Sequence, residues 1–567
     1  MTADLVERHR PRLDAAIAAI GERAYWSAFA EDPRDYPPDA AAAGTAAFEA
    51  YRGRPFPIQQ PATATWAGEE HSPYGLDLGI TYPVADVDAL LPAMTAAIPA
   101  WRDAGGEARA AVCAELLARL NERSHELALA VMHTTGQAFT MAFQAGGSHA
   151  QDRGLEAVAS ALAAMRRVPA SATWEKPQGK RRPLRMTKSF RIVPRGVSLL
   201  IGCATFPTWN GYPGLFASLA TGNPVLVKPS RRAVLPLAIT VAVAREVLEE
   251  AGFSPDIVAL TVDAPGDRSA AELALRPEIR LIDFTGSSAF GTWLESHATQ
   301  AVVFAEKSGV NGVVIDSTDD YQGLLRNLAF SLSLYSGQMC TTPQNLFVPD
   351  GGIETDEGHR SFDEVAVDLA GTIDGLLGDQ KRAVAVLGGI VGPDVLGRVA
   401  EASRTGDVVL ASRAIENPEF PEAVTHTPLL VALPASSEGE YARECFGPVS
   451  FLIRTAGSDE SLEIWRRTTL ERGALTAGVY STDPGVIERA EAVAIEGGVS
   501  LSINLTGGVY VNQSAAFSDY HATGANPAAN ASFTDEAFVT PRFHVTQSRR
   551  HLPPAEQPRE QEAGSGA

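Results

Sequence analysis

The chain has 567 residues, 45% hydrophobic and 20% charged, with a formal net charge of −21. So negative a surface argues against nucleic acid or an anionic membrane as partner. The length exceeds what one compact core holds and calls for two or three domains.

The opening MTADLVERHRPRLDAA has a basic element but no apolar h-region, so no secretory signal is expected. No stretch approaches the roughly 18 uncharged apolar residues of a membrane span. Four cysteines, Cys113, Cys203, Cys340 and Cys445, make neither a CxxC nor a disulfide framework. There is no HExxH and no His/Cys pair close in sequence, so no metal site is expected. These features point to a reduced, cytoplasmic setting.

Residues 1–80 are rich in Pro, Ala and aromatics, with one helix-like segment at the start. From about Asp86 to Met165 apolar residues recur at three and four spacing, which predicts helices. "TWEKPQGKRRPLRMTKSFRIVP" alternates around a Pro–Gln–Gly turn and predicts a hairpin-like ribbon. Its basic run, Lys180–Arg182, reads as a solvated strand edge.

From Gly196 the rhythm becomes strand–helix–strand. "GVSLLIG", "PVLVKPS", "DIVALTV" and "IRLIDFTGS" read as strands, with helices between them. Such alternation predicts βαβ units and a parallel sheet, with ligands beyond the carboxyl ends of the strands. Those ends carry Cys203–Trp209, Lys228–Arg231 and Thr285–Ser288. A second α/β segment spans about 307–510, with strands "GVVID", "NLFVP" and "VSFLI". The tail after Leu552 is expected to be disordered.

Five short motifs carry candidate chemistry. Lys228 ends a strand, and with Ser230 it could reach a nucleotide's ribose or phosphate. Gly286 and Ser287 sit where a strand turns into a helix, whose first-turn amides suit a phosphate. Glu306 lies between apolar residues and glycines, as a candidate general base. Glu444 and Phe446, in "ECFGPV", suit a ribose contact with a ring beside it. Cys340, in "YSGQMCTTPQN", is a candidate nucleophile, although most buried cysteines are inert.

Taken together and in order, these motifs resemble the aldehyde dehydrogenase superfamily over roughly residues 82–550. Glu306 and Cys340 are 34 residues apart, the family's interval between base and nucleophile. Within the superfamily, "EKSGVNGVVID", "TFPTWNGYPGLFASLATGNPVLVKPS" and "VNQSAAFSDYHATGANPAAN" resemble PaaN-type phenylacetate-degradation proteins.

The resemblance implies an α/β fold: a Rossmann-like cofactor domain (81–306, interrupted by a 168–194 oligomerisation ribbon) and a catalytic domain (307–512). A segment at 513–552 would return to the interface. The tail 553–567 and an N-terminal extension, 1–80, complete the chain. It further implies oxidation of an aldehyde with a nicotinamide cofactor: Cys340 attacks as a thiolate, and Glu306 activates the water that hydrolyses the thioester. The PaaN likeness implies a CoA-linked substrate, 3-oxo-5,6-dehydrosuberyl-CoA semialdehyde. The ribbon and "RFHVTQSRR" imply a homodimer or a dimer of dimers.

Two positions depart from the family pattern. The oxyanion-hole asparagine, counted back from "ATGN", falls on Thr205; Asn210 is the alternative if the loop is remodelled. Three residues after Lys228, where NAD-preferring members often carry Glu, stands Arg231. A guanidinium there favours NADP over NAD.

Overall fold

The computed structural model describes residues 2–307, 309–521 and 535–552. The expected disordered tail and the "ATGANPAAN" part of the PaaN-like cue lie outside the described residues.

Two parallel sheets organise the chain. The first has five strands in the order Val258–Leu260, Val225–Lys228, Val197–Ile201, Ile279–Gly286, Val302–Lys307, all parallel. Strands covered on both faces must be apolar along their whole length rather than alternating. Val197–Ile201 and Val225–Lys228 are accordingly buried at every position. One face packs against a core that includes Leu215, Phe216, Leu237 and Val241. The other packs against Leu90, Leu91, Met94 and Leu294.

The second sheet has seven strands. Its centre is Val449–Thr455, Asn345–Pro349, Gly312–Ile315 and Ala477–Tyr480, in that spatial order. All of these neighbours are parallel, and the antiparallel edge is Asp407–Leu410. Separate apolar cores cover its two faces.

The ribbon is present as the strands Ser171–Gln178 and Arg181–Pro194. Gly179 sits in the turn at φ 62°, which needs no Cβ accommodation. Phe543–His551 adds antiparallel to its other edge. This third sheet is largely exposed.

Residues 2–80 do not stand apart. The helices Thr2–Glu22 and Ala40–Tyr51 send Leu5, Leu13, Ala16 and Phe48 into the same core as the first sheet. Glu70 then reaches the start of the helix Leu235–Glu250, accepting from Leu235 N at 2.9 Å and from Val234 N at 2.5 Å. A carboxylate there satisfies amides that have no partner in the helix and meets the positive end of its dipole. Composition alone did not show this docking, because the contacts join segments more than 150 residues apart.

Arg542 closes the C-terminal segment onto the first sheet. Its guanidinium donates to both oxygens of Asp283, at 2.5 and 2.8 Å, and to Ser218 Oγ at 2.8 Å. Phe304 and Phe538 stack on it at 4.2 Å. This buried cation is therefore fully paired, as burial requires. Among the described residues no helix is long and apolar enough to cross a membrane.

Candidate active site

Cys340 follows a loop that the backbone adopts at a cost. Tyr335, Ser336 and Gly337 have φ of 54°, 50° and 65° in succession. The first two are not glycine, and each such residue costs about 1–2 kcal/mol. The surroundings hold them there. Tyr335 Oη donates to the Thr135 carbonyl, and Ser336 Oγ donates to the His426 carbonyl at 2.9 Å. At Gly337 a Cβ would meet the Gly447 carbonyl at 2.4 Å, so only glycine passes. Gln338 ties the loop to Gly389 and Val391 through both ends of its amide. Asn311, just ahead of the strand Gly312–Ile315, donates to the Cys340 carbonyl at 2.8 Å and to the Thr342 carbonyl at 2.9 Å. The Cys340 backbone is thus held by its neighbours.

Glu306 comes from the last strand of the first sheet and is 1% exposed. The Cys340 thiol points at its Oε1, 3.5 Å away. Asn210 Nδ2 donates to its Oε2 at 2.9 Å. His521 Nε2 lies 3.0 Å from its Oε1. Burial pushes the Cys340 thiol well up, and the Glu306 carboxylate adds to the effect.

The structure separates the two oxyanion candidates. The helix Pro207–Thr221 begins before the "TWN" triplet, so Asn210 lies in its first turn, facing Glu306. Thr205 lies outside it. Its carbonyl accepts from Gln137 Nε2 at 2.7 Å, and its hydroxyl lies against the Cys203 sulfur. The contact with Glu306 is thus made by Asn210, five residues after the position that the register picks out. Cys203, read as bland, borders the site: its thiol approaches Asn210 Oδ1 at 3.7 Å.

His521 was missed. It lies 215 residues from Glu306, in a segment with no local pattern that marks it. Donor atoms of Glu306, Cys340 and His521 lie within 4.8 Å of one another. A His/Cys pair absent from the sequence spacing is therefore present in space. In this arrangement the three groups satisfy each other.

A cavity of about 700 Å³ opens from Cys340 and Asn210 toward Trp26, Arg153, Phe330 and Tyr510. That is the size of an ordinary small-molecule site. Part of its wall, Tyr25 to Ser27 and Glu31, comes from the N-terminal extension. Ser27 Oγ and Ala28 N fasten that stretch to Asp152 at 2.6 and 2.9 Å.

A thiol aimed at a buried carboxylate, at the floor of a cavity beside a parallel sheet, is the arrangement that the motifs led to. Residues 81–532 match the family model described as "Aldehyde dehydrogenase family". The chain belongs to the aldehyde dehydrogenase family. It is an oxidoreductase acting on aldehydes.

Among solved structures it is similar to an NAD-dependent aldehyde dehydrogenase from Burkholderia multivorans. The two are 55% identical, with a TM-score of 0.96, covering 98% of this chain and 100% of the other. It is also similar to the N-succinylglutamate 5-semialdehyde dehydrogenases of Chromobacterium violaceum and Burkholderia cenocepacia. Each is 27% identical, covering 75% and 78% of this chain and 82% and 84% of the relatives. A 1-pyrroline-5-carboxylate dehydrogenase from Thermus, 20% identical over 90% of this chain and 96% of its own, with a TM-score of 0.68, shares the fold.

Of the candidate cofactor residues, Lys228 and Gly286 end strands of the first sheet, and Ser230, Arg231 and Ser287 follow directly after those ends. Gly286 ends a strand, and Ser287 caps the helix Ser288–His297 through Phe290 N. The start of this helix, with the positive end of its dipole, suits a phosphate. Lys228 ends its own strand, but its ammonium is already 2.8 Å from Asp263. Ser230 follows in the turn and meets Arg232 N at 3.4 Å. Arg231, read as a receptor for a 2′-phosphate, is paired with Glu69 of the extension at 3.3 Å. Glu444 and Phe446 line a narrow crevice with Asn311, Met339 and Gln344, just beneath the nucleophile loop.

Proposed function

We propose that the chain oxidises a semialdehyde to a carboxylic acid through a covalent thioester on Cys340. The observation that carries this is the Cys340 thiol 3.5 Å from the buried Glu306, on the wall of the large cavity.

Cys340 attacks the aldehyde carbon as a thiolate. Asn210 has two amide N–H groups and spends one on Glu306, which leaves the second for the oxyanion, opposite the Cys340 backbone N–H. A bound nicotinamide cofactor supplies the two-electron acceptor that raises the aldehyde carbon to the acid oxidation level. Gly286 and Ser287 would hold its phosphates, Lys228 and Ser230 a ribose, and Glu444 with Phe446 the reactive end. Glu306 then takes a proton from the water that hydrolyses the thioester. A base at this position favours a free acid over transfer to coenzyme A.

For the cofactor we favour NAD. Glu69 neutralises Arg231 and places a carboxylate where a 2′-phosphate would be repelled. The similar Burkholderia multivorans enzyme is named NAD-dependent.

The first substrate to test is 3-oxo-5,6-dehydrosuberyl-CoA semialdehyde, which the PaaN-like cues support. The second is N-succinylglutamate 5-semialdehyde, named in the relatives. The ribbon and Phe543–His551, with Leu184 44% and Val545 43% exposed, support a homodimer or dimer of dimers.

The test is cofactor reduction with an aldehyde panel, comparing wild type with Cys340→Ala. Activity in the wild type alone supports the reading. Silence toward every aldehyde would leave a nucleotide-binding or acyl-CoA-binding relative without catalysis.

A further inference from the structure

The cavity that holds Cys340 takes part of its wall from a segment outside the two sheets, Tyr25 to Ser27. Trp26 is half-buried there. Its ring meets Phe517 edge-on at 4.6 Å, and Phe517 is buried, with its amide donating to Glu156 Oε1 at 2.9 Å. Arg23 lies over the Tyr520 ring at 4.2 Å. Ser27 and Ala28 are fastened to Asp152, on the helix His149–Arg166. The segment is therefore fixed both to that helix and to the residues around Phe517. A wall held at so many points keeps its shape when a ligand enters.

The cavity offers a ligand many rings. Trp26, Phe206, Trp209, Phe330 and Tyr510 all line it. Phe330 and Tyr510 stack with centroids 4.1 Å apart, and Phe206 and Trp209 meet edge-on at 6.4 Å. The charges among the described lining residues are engaged within the protein. Glu31 is bonded to His149 at 2.8 Å, and Asp519 accepts from Ala515 N at 2.7 Å. Asp152 holds Ser27 and Ala28. Arg153 donates to Ser514 at 2.9 Å and to Glu156 at 3.4 Å. A free carboxylate on the ligand would lose its hydration among these acids, with both lining cations already taken. An aldehyde of two or three carbons would leave most of the roughly 700 Å³ unused.

We propose that Trp26 sets substrate selectivity: it packs against the chain of a long, uncharged aldehyde whose carbonyl lies at Cys340. The chain runs along the rings, and each methylene that leaves water there is worth about fourfold in affinity. A chain that ends in a thioester or an amide is accepted, and one that ends in a free carboxylate is disfavoured. Of the two substrates named above, the CoA-linked semialdehyde continues through a neutral thioester, whereas N-succinylglutamate 5-semialdehyde carries free carboxylates. The N-terminal extension thereby supplies a specificity-determining residue to a site built on the two sheets. The inference rests on the proposed function for the position of the aldehyde carbon.

The test uses the full chain without cofactor, with the unreactive amides butanamide and octanamide in place of the aldehyde. Each is titrated against iodoacetamide modification of Cys340, followed by mass spectrometry with Cys340→Ala as the blank. In wild type, octanamide protects at a concentration at least about 50-fold below butanamide. In Trp26→Ala that ratio falls by about tenfold or more, and Trp26→Phe, which keeps a ring, retains most of it. The ratio within one protein cancels any change in the thiol itself. Suberamate, which is octanamide with a carboxylate at its far end, protects at least about tenfold less well than octanamide. A ratio equal in wild type and Trp26→Ala would overturn the role of Trp26, and better protection by suberamate would overturn the uncharged tail. Protection needs no turnover, so the two failures are distinguishable. No aldehyde oxidation, with these ratios, removes the proposed function alone. Turnover of butanal and octanal, with ratios that Trp26→Ala leaves unmoved, removes this inference alone.

Discussion

Asn210 donates its side-chain amide to Glu306 Oε2 at 2.9 Å. A residue in the first turn of one helix is thereby tied to the acid that faces Cys340, 96 residues along the chain. The bond orients both groups. It holds Glu306 beside the thiol, and Asn210 itself lines the cavity.

From this arrangement Asn210→Ala lowers kcat by about 10²–10³-fold, the usual cost of one oxyanion donor. Thr205→Val costs less than about tenfold, since its hydroxyl serves Cys203. Steady-state kinetics on both variants check this. A larger loss in Thr205→Val would return the oxyanion role to Thr205.

Glu306→Gln keeps the acceptor for Asn210 but cannot take a proton from water. Cofactor reduction then gives a burst followed by turnover slower by about 10²–10⁴-fold. Intact-protein mass spectrometry finds the acyl group on Cys340. Undiminished turnover would end the assignment of Glu306 as base.

The Arg231–Glu69 pair predicts that wild type has the lower KM for NAD. Glu69→Gln frees the guanidinium for a 2′-phosphate and lowers KM for NADP by about tenfold, the worth of one charge-assisted hydrogen bond. KM for NAD changes little. Equal KM values for NADP in the two proteins would show that Arg231 does not reach the cofactor.

Asp152 anchors the N-terminal stretch that walls the cavity, and burial pushes its carboxyl from its ordinary 3.8 up to about 6. The folded state then binds this proton more tightly than the unfolded chain. Its contribution to stability therefore falls as pH rises from about 4 to about 6 and is flat above. Asp152→Asn removes that slope, a difference of roughly 2–3 kcal/mol across the window. Urea midpoints for both proteins from pH 4 to 7 measure it. Parallel curves would place Asp152 in a more polar setting than its contacts indicate.

Much of the scaffold was legible because its signals are local. Buried parallel strands such as Val197–Ile201 must be apolar along their length, and the turns after them must be polar or glycine-bearing. The ribbon was legible from its alternation, and Cys340 and Glu306 as candidates from motifs that resemble the aldehyde dehydrogenase family. The second N-terminal helix, Ala40–Tyr51, was not. Its alanine-rich run has little amphipathic contrast, and it is positioned by docking.

By itself, then, the sequence determined the strand–helix alternation of the first sheet, the family, and Cys340 and Glu306 as a candidate pair. Each of these depends on residue type at short or fixed separation. Tertiary structure alone brought Asn210 against Glu306, because that follows from where the helix at Pro207 begins to pack. It alone brought His521 to Glu306 across 215 residues and Glu69 to Arg231 across 162. Contacts at such separations are set by how whole segments pack against a shared core, and no local pattern in either segment encodes its partner.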